Sequence, residues 1–455
     1  MPAFAPVDDE IGEMLQSGHR DSFSYSPYSE WYENSLRFPD SPVARHHREK
    51  YGSRPYRSFA SDWEAALEQW DPKEWAARFA AAGAKYVVFV TKHHDGYCLW
   101  PTDVPNPNRP GWNCKRDVVG EMADAVRAAG MRFGLYYSGG LDWTFEDRPI
   151  GSLADMLVAI PRGDYPTYAD AHVRELIERY RPSVLWNDIA WPSEGKYLWP
   201  LLAHYYEQVP DGVVNDRWMP WNPALGLAKL SPVKRVIDAG GVRQAKRDAG
   251  LIPPKPPFFD VRTPEYAVFP DVQRYPWECV RGMDKSFGHN RESLPEHFIA
   301  RDELLWSLVD ITSKGGNLLL NVGPRGEDAQ IADAQRDRLT WLAEWMERNS
   351  SALVATRPWV VPEGTTTDGL PVRYTARDND VFAFLAATEP DIDHGVDHGS
   401  ITLREVMSTQ TTRVETIDGD AVSWRESDRG LVVDFPSSHR LGPFCIVMRN
   451  VGARQ

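Results

Sequence analysis

Between about residues 60 and 350 one unit recurs: a stretch with helical spacing, a glycine, and a short apolar run of strand length. "DPKEWAARFAAAGA" (71–84) reaches Gly83 and leads into "KYVVFVT" (85–91). "RDVVGEMADAVRAAG" (116–130) stops at Gly130 and leads into "MRFGLYYS" (131–138). "YADAHVRELIERYR" precedes "PSVLWND" (182–188), "GVVND" (212–216) reads as a further short strand, and "RDELLWSLVDITSKGG" precedes "NLLLNVG" (317–323). Glycine ends such helices because it enters the left-handed region without a Cβ penalty. Apolar runs without alternation belong to strands covered on both faces, so the repeat demands a parallel sheet wrapped by helices, either doubly wound or closed into a (β/α)8 barrel.

Polar residues gather where these strands end: Lys92-His93-His94-Asp95, Tyr136-Tyr137, Asn187-Asp188 and Asn215-Asp216-Arg217. In a barrel the C-terminal strand ends carry the chemistry. Neither a G-x-G-x-x-G nor a G-x-x-x-x-G-K-[ST] follows a strand, which disfavours nucleotide binding. A barrel is therefore expected over 1–351. The segment 219–256, with "PPKPP" at 253–257, reads as a long loop insertion near the strand ends. Past Ala352 the pattern changes to short strands and turns ("VRYTARDNDVFAFLAA", "TTRVETI", "GLVVDF"), which predicts a separate β-sandwich over 352–455.

A net charge of -14 argues against nucleic acid or an anionic membrane as partner. No apolar run reaches the roughly 18 residues of a membrane span. The start "MPAFAPVDDEIGEM" lacks a basic, apolar leader, so the expected compartment is the cytoplasm. Cys98, Cys114, Cys279 and Cys445 form no C-x-x-C pair, and neither zinc nor a disulfide framework is expected. The 18 tryptophans suit either a large aromatic core or a site that stacks on sugar rings. Oligomeric state is not legible.

Asp188 in "LWNDIAWP" lies two residues from Trp186, so on a strand both face one way. A carboxylate beside an aromatic wall is a usable nucleophile or base, although an Asp capping the next loop reads equally well. His93 and His94 end a strand, where neighbours point to opposite faces, so one metal shared by both requires a backbone turn. They are candidates to hydrogen-bond substrate hydroxyls or a neighbouring strand. His46-His47, in a charged stretch, reads as solvated surface. Glu265 in "RTPEY" and Glu278 in "YPWEC" are candidate second carboxylates, and the residues alone do not choose between them. Arg217 sits beside Asp216, and an ion pair with that or another acid is its plainest reading.

Together these stretches resemble the α-L-fucosidases of glycoside hydrolase family 29. The resemblance rests on "SEWYENSLR" (29–37), "AGAKYVVFVTKHHDGYCLWPT" (82–102), "KRDVVGEMADAVRAAGMRFGLYYSGGLDW" (115–143), "RPSVLWNDIAWP" (181–192), "VVNDRW" (213–218), "TPEY", "WECVRGMDKSFGHN" (277–290) and "GGNLLLNVGP", in the family's order. It implies a retaining exo-hydrolase of terminal α-L-fucose on a (β/α)8-like barrel followed by a β-sandwich, needing no metal or cofactor. Its partner would be a fucosylated oligosaccharide or glycoside. The family's nucleophile falls on Asp188 and its acid/base on Glu265, with Glu278 as the fallback. Sugar-binding roles fall on Glu30, Trp31, His93, His94, Tyr136, Trp186, Arg217 and Phe287.

One stretch departs from the family, whose members open with a strand reading roughly F-G-x-F-x-H-W-G-x-Y-S-V-P-A. Here "MPAF" matches only the tail of that motif. The expectation is a start site assigned too late and a barrel without its first strand, with two exposed sheet edges at the gap. A non-catalytic sugar-binding protein, a degraded hydrolase that keeps the pocket, is the alternative function.

Overall fold

A computed structural model describes residues 23, 28–248, 250–386, 400–434 and 442–454. The segment matched to the family's opening strand lies outside them.

The repeated units fold as their spacing requires. Strand β1 (Tyr86–Lys92) pairs in parallel with β2 (Arg132–Ser138), β2 with β3 (Val184–Asp188), and β3 with the short β4 (Val213–Val214). A second parallel pair joins β5 (Trp277–Arg281) to β6 (Gly316–Leu320). The extended segment 261–265 bridges the two groups, through Asn215 to Val261 on one side and Arg262 to Trp277 and Glu265 to Val280 on the other. The wall thus runs β1-β2-β3-β4, then 261–265, then β5-β6. Among the described residues no strand lies between β6 and β1. A cavity of about 880 Å³ extends from the C-terminal strand ends along both facing edges, and Val90 of β1 is 37% exposed.

The connecting helices begin where their caps dictate. In α1 (Pro42–Tyr51) the Ser41 side chain accepts from Ala44 N; in α2 (Pro72–Ala81) Asp71 accepts from Lys73 N; in α3 (Val118–Ala128) Asp117 accepts from Gly120 N. Each such cap satisfies one of the orphan donors of a first turn. Val118, Met122, Ala125 and Val126 put one face of α3 against the sheet. Further helices are α4 (Leu153–Val158), α5 (Tyr165–Tyr180), α6 (Gly195–Gln208), α7 (Ser231–Asp248), α8 (Arg301–Ser313) and α9 (Asp333–Asn349). None of the described helices is long and apolar enough to cross a membrane.

Two expectations change. The supposed loop 219–256 carries a 3-10 turn over Pro223–Lys229 and the helix α7. Its Gly240-Gly241 pair and the flanking prolines mask a run otherwise rich in helix formers. His47 is buried on α1, bonded to Tyr32 Oη (2.8 Å) and to the Arg54 carbonyl (2.7 Å); only the charges around it suggested solvent.

After α9 the chain becomes antiparallel. Strands β7 (Arg357–Thr365), β8 (Pro371–Arg377), β9 (Asp380–Leu385), β10 (Ser400–Leu403), β11 (Arg413–Thr416), β12 (Trp424–Ser427), β13 (Gly430–Asp434) and β14 (Phe444–Arg449) form a five-stranded sheet, β11-β14-β9-β8-β7, and a three-stranded one, β10-β13-β12. Val372, Tyr374, Ile401, Leu431 and Ile446 fill the space between them. The other face of the larger sheet packs Phe382, Phe384 and Val447 on Leu304, Leu342 and Trp345 of α8 and α9, which ties the sandwich to the barrel. All four cysteines are buried and unbridged.

Lys92, at the end of β1, is fully buried, its ammonium 3.0 Å from Asp142 and 4.6 Å from the centre of the Tyr137 ring. Removing one partner of such a pair strands the other charge. Lys92→Ala is expected to cost about 3–5 kcal/mol in urea unfolding, and Lys92→Ala with Asp142→Ala together less than the sum of the two single changes.

Candidate active site

The polar strand ends converge at the mouth of the cavity. Alternation along β3 sends Trp186 and Asp188 into it, while Asn187 points away and binds the carbonyls of Ala190 (3.0 Å) and Arg217 (2.8 Å). Asp188 Oδ2 accepts from Tyr136 Oη at 2.7 Å and Oδ1 from Arg217 Nη1 at 2.9 Å. Ile189 follows in the left-handed region (φ 71°), uncommon for a β-branched residue, and its N–H closes on Asp188 Oδ1 at 2.8 Å. Gly139 and Gly140 admit this turn. A Cβ on Gly140 would stand 2.8 Å from Ala190 N and from Ile189 Cβ.

Arg217 does not pair with its neighbour Asp216. Asp216 turns to Arg262, while Arg217 turns inward, Nη1 to Asp188 and Nη2 to Glu265 Oε1 at 2.6 Å. Thr263 accepts from the same guanidinium through its Oγ1 (3.2 Å) and carbonyl (3.1 Å). Burial alone would lower the Arg217 pKa, but Glu265 and Asp188 outweigh it and raise the value. Glu265 is 8% exposed; burial raises its pKa above the usual carboxylate range against the pull of Arg217. Its backbone pairs with Leu251 in both directions, at 3.0 and 2.7 Å. Tyr266, next in sequence, is also left-handed (φ 53°), so each of these carboxylates precedes a residue in a sparsely populated backbone region.

The histidines resolve the question of direction. β1 slips register between Val90 and Lys92 and ends there, and the chain turns so that both rings face the site, 3.9 Å apart. Ser138 Oγ donates to the Leu141 carbonyl (2.8 Å) and so accepts from His94 Nδ1 (2.7 Å). That leaves His94 Nε2 as an acceptor, 4.0 Å from Asp188 Oδ2. Burial pushes His93 down to about 4 and His94 well below its usual value, so both are neutral near pH 7. The potential ligand atoms of His93, His94 and Asp188 lie within 4.8 Å of one another, a donor set compatible with a borderline cation.

Glu30 comes from the 3-10 turn Ser29–Trp31. Gly288 N donates to its Oε2 at 2.8 Å, and burial lifts it to about 7. Trp31 packs edge-on against His94, with ring centres 5.3 Å apart, and Phe287 lines the same cavity. Tyr136 stacks between His93 (5.7 Å) and Trp186 (5.3 Å), and the Arg217 guanidinium lies 4.6 Å from the Trp186 ring centre.

Glu278 stands apart from the cavity. It is 3% exposed inside the barrel, where Oε1 accepts from Trp186 Nε1 (2.9 Å) and Oε2 from Tyr86 Oη (2.5 Å). It anchors the stack from below through Trp186 and Tyr86 and does not itself line the cavity. Ile189, Thr263 and Leu251 escaped sequence reading because backbone strain and tertiary pairing leave no local signature. Glu278→Ala orphans two buried donors and is expected to cost about 2–5 kcal/mol in urea unfolding. Glu278→Gln, which keeps an acceptor for Trp186, is expected to cost less; equal losses would mean that the acceptor does not matter.

Comparison with known proteins agrees with this fold. The family model described as Alpha-L-fucosidase matches residues 16–351. Tissue alpha-L-fucosidase of Macaca fascicularis is 30% identical over 400 residues, covering 84% of this chain and 73% of its own length. The Homo sapiens protein is 29% identical over 400 residues, with coverage of 84% and 74%. Among solved structures, Thermotoga maritima alpha-fucosidase in complex with fucose is 36% identical with a TM-score of 0.76, covering 94% of this chain and 90% of the other. A Thermotoga maritima alpha-L-fucosynthase in complex with alpha-L-Fuc-(1-2)-beta-L-Fuc-N3 is 36% identical with a TM-score of 0.79, covering 98% and 91%. The chain therefore belongs to the α-L-fucosidase family, glycoside hydrolases that release fucose.

Proposed function

We propose that the protein removes terminal α-L-fucose with retention of configuration, Asp188 serving as nucleophile and Glu265 as acid/base. The observation that carries this reading is the single guanidinium of Arg217 bonded to both carboxylates, at 2.9 and 2.6 Å. Groups that share one guanidinium are close neighbours, which favours the roughly 5 Å spacing of retaining enzymes over the about 6.5–9.5 Å of inverting ones. In the first step an Asp188 oxygen bonds the anomeric carbon, the glycosidic C–O bond breaks, and Glu265 gives its proton to the leaving oxygen. In the second, Glu265 takes a proton from water, the water oxygen bonds the anomeric carbon, and the bond to Asp188 breaks. Tyr136 Oη and Arg217 orient Asp188. Glu30, Trp31, His93, His94, Trp186 and Phe287 hold the sugar, the neutral histidines accepting from its hydroxyls and the aromatic faces covering its apolar edge and methyl.

Asp188→Ala is expected to abolish turnover of an aryl α-L-fucoside, and Glu265→Ala to slow it by about 10²–10⁴-fold. Proton NMR of the first-formed sugar should show α-fucose; initial β-fucose would overturn retention. Glu278→Gln should retain turnover, and its inactivity beside an active Glu265→Ala would move the acid/base role. The raised pKa of Glu265 keeps its proton to higher pH than a free carboxyl. As pH rises through that value the acid is lost, so kcat/KM on an aryl fucoside falls. On α-L-fucosyl fluoride, whose departure needs no proton, that alkaline limb should be absent.

A further inference from the structure

Among the cavity residues that belong to none of the roles above are Leu153 and Met156 of α4, Ile189, Gly241 and Gln244 of α7, and Leu251. Leu153 and Met156 are three apart, as are Gly241 and Gln244, so each helix presents one face to the opening. Both helices follow C-terminal strand ends, α4 after β2 and α7 after β4, which places them on the outer side of the carboxylates.

The two helices are fixed to each other and to Glu265. Ala154 N donates to Asp238 at 2.9 Å, and Lys234 pairs with Asp155 at 2.6 Å. A Cβ on Gly241 would stand 2.8 Å from Leu153 Cδ2. Gln244 Nε2 donates to the Ile252 carbonyl at 2.5 Å, and the adjoining Leu251 is paired by its backbone to Glu265. Gly250 holds that contact close, since a Cβ there would meet the Glu265 carbonyl oxygen at 2.4 Å. The group that protonates the leaving oxygen is therefore joined directly to this wall, and whatever departs from the sugar leaves along it.

None of the six carries a charge. Four are apolar, one is a glycine, and Gln244, with one N–H given to the Ile252 carbonyl, keeps its second N–H and its carbonyl oxygen. Resting on the fucosidase reading above, we propose that α4, α7 and Leu251 form the leaving-group subsite, built for an uncharged aglycone with an apolar face and one polar group toward the Gln244 amide. Gly241 lets Leu153 pack closely against α7, and Leu153 and Met156 form the apolar floor of the subsite. The helix hidden in 219–256 is thus the specificity element of the site.

The test compares two leaving groups in wild type and in two variants. Met156→Ala removes part of the wall, and Met156→Trp narrows the space beside it. Each is expected to lower kcat/KM on 4-methylumbelliferyl α-L-fucoside about tenfold, the scale of a lost or blocked apolar contact. Hydrolysis of α-L-fucosyl fluoride, which has no aglycone to place, should stay within about twofold of wild type by the same argument. In wild type, phenyl α-L-fucoside should be preferred over its 4-carboxyphenyl analogue, although the latter is the better leaving group. Equal slowing of fluoride and aryl fucoside, or no change on either, would overturn the subsite, as would preference for the carboxylated substrate. A wild-type chain that hydrolyses neither substrate would instead overturn the fucosidase reading and the subsite with it.

Discussion

The site depends on where one guanidinium is held. Arg217 is buried between two acids, lies on the face of Trp186 and donates to both acceptors of Thr263. Three charges out of water are costly, and such a group persists only when nearly every donor and acceptor is engaged. Here the engagement is reciprocal. Asp216 accepts from Thr263 N (3.0 Å) and Oγ1 (2.6 Å) and pairs with Arg262, so adjacent residues at the end of β4 grip the 262–265 segment from two sides. That segment completes the wall between β4 and β5, and its last residue is Glu265. The Glu265 carboxylate is positioned by the same contacts that hold the sheet together.

Beneath the charged layer lies an aromatic one. His93, Tyr136, Trp186 and Arg217 stand side by side on the ends of successive strands, each ring contacting the next. Glu278 closes the stack from β5 by taking the Trp186 N–H, and Tyr86 from β1 takes the other carboxylate oxygen. Residues from β1, β3 and β5 thus meet across the barrel interior. This layer makes the orientation of Asp188 a property of the barrel rather than of its loop. It also makes Ile189 tolerable. A left-handed β-branched residue costs on the order of 1–3 kcal/mol, which the surrounding contacts must offset.

What was legible in the sequence was what depends on local order. Helix, glycine and apolar run sit next to one another in the chain, so the α/β units could be read. Alternation in "LWND" is enough to place Trp186 and Asp188 on one face. The different surroundings of Glu265 and Glu278 were not legible, because they depend on which carboxylate meets Arg217 and which meets Trp186, contacts 48 and 92 positions apart along the chain. His93 and His94 were read as diverging because strand geometry was assumed to continue through them; the slip after Val90 ends it. The charged run around His46-His47 concealed a buried ring, since α1 turns only one face outward. In 219–256, prolines and a glycine pair masked a helix whose stability comes from packing on α4.

The balance of charge at the site follows from these burials. Desolvation keeps both histidines neutral, so they add no positive charge beside Asp188. Arg217 is the cation set against Asp188 and Glu265. Burial raises the Glu265 pKa while Arg217 lowers it, so its carboxyl holds a proton to higher pH than a free one. As a glycosidic bond breaks, positive charge develops on the sugar ring. A protonated histidine in place of His93 or His94 would repel that charge at short range, in a medium that screens poorly. Neutral imidazoles instead offer lone pairs to hydroxyls, as the Ser138 bond ensures for His94. In the mechanism proposed above, burial of His93 and His94 is therefore more than a by-product of a tight core: it keeps two basic side chains beside Asp188 from opposing the charge that develops on the sugar.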